Sequence, residues 1–397
     1  MPLEPVEALL ITAWLLTALA TTGFAAAYLY RLGPGPPNDD GPFPSILVLL
    51  PIRAGSAADL PAIAATLAAV EAQDYPGPWR AVLALESAND PAFALASAAD
   101  PGRFTVVLAG PAQQRGQKVQ NLLAALATRR TDDALVVTLD VDALPPPFWL
   151  KALTRPIRLG RAEIATGYRW LVPDAGLASV LVALADHGVA TGPRLGRVGL
   201  VWGGSTALSS QALKRLDLPS LWDRALSDDL TLARAAAAAG MPAFVALHVL
   251  LPSPLRLGWR GVLAFGRRQY LLLRLHAPHF AALAGVTLIL PLLGVAAAFS
   301  AALGGSKAAV GALIIGAVLQ QARVDIRRRI GIRVLAGDSA TALRREGLRA
   351  HLLQPAAHLL NVGLFLSSFA GRDVVWAGRR YRLRREDSQV VSVQRRV

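Results

Sequence analysis

Asp140 and Asp142, separated by one residue, stand where an apolar run over 136–139 meets a proline break at Pro145–Pro147. On a β-strand, residues i and i+2 point to the same side, so both acids face one point as the chain leaves the sheet. Oxygen ligands of this kind suit a hard divalent cation, which in turn can grip a diphosphate. The same spacing also occurs in ordinary strand-end loops. Lys118, at the start of a helical stretch after the strand at 104–108, is well placed to meet phosphate beside free backbone amides; otherwise it is a solvated lysine. Ser227, Asp228 and Asp229 open another helix, which stops at Gly240. Helix capping alone accounts for such acids, and the chemical alternative is a general base that deprotonates an acceptor hydroxyl.

Three weaker features accompany these. Glu86 and Asp90 follow the second strand, where a nucleotide base and ribose could be held, or where an ordinary Asx–Pro turn forms. Gly203, Gly204 and Ser205 make a small-residue loop that backbone could use to approach a sugar. Trp259, Arg260, Phe265, Arg267, Arg268, Gln269 and Tyr270 gather cationic, amide and aromatic groups. Such a cluster could clamp a diphosphate leaving group and shield it from water, or face lipid headgroups at an interface.

The elements that must position these residues follow from periodicity. Strands are expected at 45–50, 80–85, 104–108 and 135–139, and helices at 58–73 and 117–128. That alternation predicts a mostly parallel sheet covered on both faces, with ligands at the strands' carboxyl ends. The Asp140–Asp142 pair sits at such an end.

The chain of 397 residues is 53% hydrophobic, too apolar for an ordinary soluble enzyme, yet 44–275 carries charge throughout. A charged domain joined to membrane segments accounts for both. Ala8–Tyr30 is uncharged over 23 residues and preceded by two acids, which favours a retained anchor over a signal peptide. Arg31 then places the following domain in the cytoplasm. There is no cysteine, which excludes disulfides and thiolate metal sites. The net charge of +14 invites a nucleic-acid reading, but Arg323, Arg327, Arg328, Arg329, Arg333, Arg344, Arg345 and Arg349 cluster beside apolar spans, as do Arg379, Arg380, Arg382, Arg384 and Arg385. This distribution points to the membrane surface and away from nucleic acid.

The expected organisation is an anchor at 1–31, a linker at 32–44, an α/β catalytic domain at 45–250 and an interfacial segment at 251–280. A transmembrane hairpin at 281–322, a basic loop at 323–350, a membrane segment at 351–371 and a basic tail at 372–397 follow. The second arm of the hairpin, 308–322, reads as short. If 351–371 crosses in full, the basic tail falls outside, against the positive-inside rule; the sequence leaves open which stretch does not cross.

In this order the pieces resemble the membrane-bound inverting family-two glycosyltransferases, most closely the ceramide glucosyltransferases and bacterial hopanoid-associated relatives. Ser45–Pro51 resembles the first strand and Gln73–Gly77 the turn before the second. Asp90 matches the first family aspartate, Lys118 and Asn121 the lysine–asparagine element, Asp140 and Asp142 the metal-binding pair, and Asp228 and Asp229 the acidic pair. Val375–Leu383 resembles the family's cytoplasmic ending. The resemblance implies a Rossmann-like α/β GT-A catalytic domain in the cytoplasm, with an N-terminal transmembrane anchor and C-terminal transmembrane helices in a bacterial inner membrane. It implies Mg²⁺ or Mn²⁺ on Asp142 and Asp140, and a nucleotide-sugar donor, expected to be a UDP-sugar. That donor would be bound by Glu86, Asp90, Lys118, Asp140, Arg267, Arg268, Gln269 and Tyr270. Asp229 would be the base acting on a lipid hydroxyl. One departure is notable: Gln269 and Tyr270 stand where the family's interfacial Gln/Arg-x-x-Arg-Trp motif has Arg and Trp. A processive polysaccharide synthase of the same superfamily and a non-catalytic membrane scaffold are the alternatives.

Overall fold

A computed structural model describes residues 2–33, 41–192, 200–335, 337–345, 347–384 and 388–395. Most of the expected linker, 34–40, and Arg385 lie outside these. The chain divides into two compact units. One comprises 1–35, 171–193 and 255–370; the other comprises 36–170, 194–254 and 371–397.

In chain order, helix α1 (Pro5–Leu32) precedes β1 (Ile46–Pro51), α2 (Leu60–Glu71), β2 (Trp79–Leu85), α3 (Phe93–Ser97), β3 (Phe104–Leu108), α4 (Gln117–Leu126), β4 (Leu135–Leu139) and α5 (Trp149–Arg158). Next come β5 (Ile164–Pro173), α6 (Leu177–Ala190), β6 (Ser205–Ser209), α7 (Ser210–Leu216), α8 (Leu218–Leu221), α9 (Asp228–Ala238) and β7 (Phe244–Leu255). Helices α10 (Trp259–His276), α11 (Pro278–Leu303), α12 (Lys307–Val334), α13 (Gly337–Arg345) and α14 (Gly347–Ser367) lead to β8 (Asp373–Trp376), β9 (Arg379–Leu383) and β10 (Val390–Arg395).

The α/β unit is built on a sheet of order β3-β2-β1-β4-β6-β5-β7. Strands β1 to β4 are parallel, and β1 reads as an unbroken apolar run because both of its faces are covered. Ile46, Val48 and Leu50 pack with Leu83 and Trp149 on one face, while Leu47 and Leu49 pack with Val119 and Leu122 on the other. Each such fully buried aliphatic side chain contributes about 1.5–3 kcal/mol. Strand β6 runs antiparallel between β4 and β5. Its first residue, Ser205, therefore pairs with Leu139, the last residue of β4, and Gly203 and Gly204 are delivered to the end of the sheet from which Asp140 emerges. This mostly parallel, helix-covered sheet is the Rossmann-like GT-A architecture expected from the sequence.

The first four strands and both early helices fall within two residues of expectation. The stretch expected to begin at 58 opens as a 3-10 turn, Ala57–Asp59, with reciprocal Ser56 and Asp59 caps, before α2 itself. The C-terminal residues, read from sequence as a basic tail, form a three-stranded antiparallel sheet, β10-β9-β8, within the same unit. Strand β9 alternates strictly: Arg379, Tyr381 and Leu383 are buried, while Arg380 and Arg382 are exposed.

In the helical unit, α1, α11 and α12 are each long and apolar enough to cross a membrane; α14 is not among such helices. The second arm of the hairpin is longer than the apolar run suggested, because Gln320, Gln321 and the arginines that follow are good helix formers and carry α12 through to Val334. Small residues let these helices approach, as is usual where lipid replaces water. Trp14 on α1 lies against Gly294 and Gly316, where a Cβ would come within 2.3 Å and 2.2 Å of its side chain. Residues 371–397 share a unit with 36–170.

Candidate functional site

The carboxyl end of β4 collects the chemistry. Asp140 leaves the strand with its amide donating to Gly204 O (3.2 Å), and Lys118 from the first turn of α4 reaches across to it. The Lys118 Nζ lies 2.7 Å from Asp140 Oδ1 and 3.2 Å from Asp228 Oδ2. Helix α4 comes this close because its N-cap is Gly116. The Gly116 amide donates to Ala225 O (2.9 Å), and a Cβ there would sit 2.6 Å from Leu226 O. Asp228 and Asp229 open α9, capped by Ser227, whose hydroxyl accepts from the Leu230 amide. The Asp229 carboxylate accepts from the Gly203 amide (3.2 Å), the Leu230 amide (2.7 Å) and the Ser227 hydroxyl.

The two acids of α9 are placed differently. Asp228 is 3% exposed, whereas Asp229 is half-buried. Burial, reinforced by Asp229 and Asp140, raises the Asp228 carboxyl to about 7 against the opposing pull of Lys118. Asp228 thus has a proton affinity suited to a base near neutrality, but its carboxylate is buried against Lys118. Asp229 is the more open of the two. For Lys118, burial is the largest single influence and pulls downward, yet Asp140, Asp228 and Asp229 together outweigh it and hold the ammonium charged. Asp142 is exposed. The protein crowded around it and then Asp140 raise its carboxyl, opposed by Arg169 and Lys118.

Gly203 and Gly204 are what allow this packing. A Cβ on Gly203 would fall 2.0 Å from Asp228 Oδ2 and 2.9 Å from Lys118 Nζ. On Gly204 it would fall 2.2 Å from the Trp202 ring and 2.8 Å from Asp140 Oδ2. Gly204→Ala is therefore expected to displace Asp140. Misplacing a reacting group by about 1 Å costs on the order of a hundredfold in rate, so turnover should fall by about that factor while the protein stays folded. Activity together with a thermal melt checks this, and unchanged activity would refute the close packing.

Four carboxylates (Asp140, Asp142, Asp228 and Asp229) thus gather around one ammonium, with Arg169 beside Asp142. Acid outnumbers base, and the oxygens that remain accessible are hard donors, so the set suits a hard divalent cation. Among the described residues no group of three His, Asp or Glu is arranged for a metal. The protein offers a carboxylate pair at most, leaving the rest of a coordination shell to ligand oxygens and water.

The residues after β1 and β2 form a second cluster at the same end of the sheet. The Asp90 carboxylate accepts from the Ala92 amide (2.9 Å) and the Ala54 amide (3.2 Å), so it both closes its own turn and pins the loop after β1. Glu86 forms an ion pair with Arg379 (2.6 Å). Arg267, Arg268, Gln269 and Tyr270 belong to the helical unit, on α10. There Arg267 caps α14 through Ser367 O and Ala370 O, and the Tyr270 hydroxyl donates to Asn361 Oδ1 (2.6 Å).

Sequence reasoning missed Gln117 and the part played by Arg379. Gln117 carried no signal, since a glutamine at a helix start is unremarkable. The alternation of β9 could have separated a buried Arg379 from its exposed neighbours.

The family model described as "Glycosyl transferase family 21" matches residues 11–389. No curated protein matches the chain. Among solved structures, the chain is similar to the mannosyltransferase PcManGT from Pyrobaculum calidifontis in complex with GDP-Man and Mn²⁺. The two are 19% identical, with 85% of this chain and 99% of that one covered and a TM-score of 0.46. It is also similar to S. aureus TarS 1–349 in complex with UDP-GlcNAc, at 12% identity, 87% and 98% coverage and a TM-score of 0.38.

Proposed function

The chain belongs to glycosyl transferase family 21, and from that membership we propose that it transfers a sugar from a nucleotide-sugar to a lipid hydroxyl, with inversion at the anomeric carbon. The observation that carries this reading is the convergence of Lys118, Asp140, Asp142 and Asp229 at the carboxyl ends of β4 and α4's sheet neighbours, packed against Gly203 and Gly204. The lipid acceptor is supported by three helices of membrane-spanning length in the same chain. A ceramide- or hopanoid-like alcohol is the acceptor class that the sequence resemblance favours, and the same resemblance favours a UDP-sugar donor. The expected setting is a bacterial inner membrane with the α/β unit in the cytoplasm, since Arg31 and the basic residues after α12 flank the spans.

In this mechanism Asp229 takes the proton of the attacking hydroxyl. The Gly203 amide fixes the carboxylate's orientation, and Asp229, the more open of the two acids, meets the acceptor. Asp228 stays buried and holds Lys118, whose ammonium is aimed at phosphate oxygens. Asp142, with Asp140, would hold Mg²⁺ or Mn²⁺, which supplies neutralisation of the charge that builds on a departing diphosphate. Asp90 shapes the loops that receive the nucleoside, with Glu86 beside it. Arg267, Arg268, Gln269 and Tyr270 are assigned to the donor by resemblance alone.

The test is a panel of UDP- and GDP-sugars offered to the detergent-solubilised protein together with membrane lipid extract. Lipid-dependent release of a nucleoside diphosphate from at least one donor is expected. No release from any donor, with the protein folded, would contradict the proposal and favour the non-catalytic scaffold.

A further inference from the structure

Polar contacts tie the C-terminal sheet to the carboxyl ends of β1 and β2, in addition to the bond from the Val390 amide to Arg224 O (2.9 Å). Arg379, 5% exposed, donates to Glu86 Oε1 (2.6 Å) and to Gln117 Oε1 (2.7 Å). Gln117 is itself buried and fully engaged. Its Oε1 also accepts from the Ala112 amide (2.8 Å), and its Nε2 donates to Gly110 O (2.9 Å) and Asn121 Oδ1 (2.8 Å). Asn121 Nδ2 in turn donates to Ala84 O (3.0 Å) and Ile52 O (3.3 Å). The Gln117 amide donates to the Tyr381 hydroxyl (3.4 Å). One guanidinium from near the chain's end thereby ties together the loops after β1, β2 and β3 and the first turn of α4, which carries Lys118.

A fold can be strapped by its terminus anywhere on its surface. Here the strap uses a buried charge, whose desolvation has to be offset by pairing. It spends that charge on loops at the ligand end of a parallel sheet. A purely structural strap would be served as well by apolar packing, which β9 already supplies through Tyr381 and Leu383.

We propose that Arg379 is a positioning residue of the donor site: through Glu86 and Gln117 it sets the nucleotide-receiving loops and the α4 turn that presents Lys118. The inference rests on the nucleotide-sugar reading above. It makes Glu86 act on the donor through its partnership with Arg379, and it makes strand β9 part of the working site.

The test uses the full chain in detergent. Arg379→Gln should raise the KM for the donor by roughly tenfold, equivalent to losing about 1.4 kcal/mol of binding, with kcat within about threefold of the parent. Glu86→Gln should do the same. The double variant should be no worse than Arg379→Gln alone, because that change already removes the Glu86 interaction, and Arg379→Lys should recover part of the loss. A lower melting temperature with KM unchanged would overturn the proposal, because the contact would then be structural only. Should Arg379→Gln fail to fold, the unmutated protein decides. Adding UDP or GDP should slow amide exchange in 379–383 together with 110–121. Slowing at 110–121 with no change at 379–383 would overturn the proposal. Protection nowhere in the α/β unit with either nucleotide would overturn the nucleotide-sugar reading itself, and this inference with it.

Discussion

Asp229→Asn should lower turnover by about a thousandfold, within the 10²–10⁴ range that a positioned general base contributes, while donor affinity stays within a few-fold of the parent. Asparagine keeps the shape of the side chain, and its one carbonyl can replace Oδ1 in accepting from the Leu230 amide, so α9 and its cap should survive. What is lost is the ability to take a proton, together with the Oδ2 acceptor of the Gly203 amide. Asp228→Asn should behave differently. It removes a buried partner of Lys118 and should weaken donor binding more than the chemical step. Measuring KM and kcat for both variants separates the two acids. If Asp228→Asn alone abolished turnover and Asp229→Asn left it intact, the base would be Asp228, whose raised proton affinity already suits that role.

A second large effect is expected at Asp142. Asp142→Ala, and independently removal of divalent cations by a chelator, should each cut turnover by on the order of a hundredfold or more, since a metal contributes several kcal/mol at a departing diphosphate. Activity in the chelated parent should return on adding Mg²⁺ or Mn²⁺, and in Asp142→Ala it should not. The acid surplus around Lys118 is the physical reason: one ammonium, already paired with Asp140 and Asp228, cannot by itself balance these acids and a departing diphosphate as well. Full activity in chelator would mean that Lys118 suffices and that the carboxylate pair serves another purpose.

Much of this site was legible in the sequence because its residues sit at element ends, where periodicity changes. Asp140 and Asp142 mark the end of a buried strand, Lys118 the first turn of a helix, and Asp229 a capped helix start. What the sequence did not reveal was long-range pairing. Nothing local indicates that Gly203 must lie against Asp228 and Lys118, because that follows from β6 inserting antiparallel beside β4. Nor does a run of arginines after an apolar helix announce that one of them, Arg379, is buried 293 residues away from its partner Glu86. Composition led the tail to be read as membrane-facing, and its exposed members, Arg380 and Arg382, keep that option.

The most direct test of the central claim is mass spectrometry of lipids from a host expressing the parent protein, compared with the same host expressing Asp229→Asn at equal levels. A lipid heavier by one glycosyl unit, present with the parent and missing with the variant, is the predicted result, and its mass would name the sugar and the acceptor together. Identical lipid profiles, with both proteins folded and in the membrane, would contradict glycosyl transfer to a lipid.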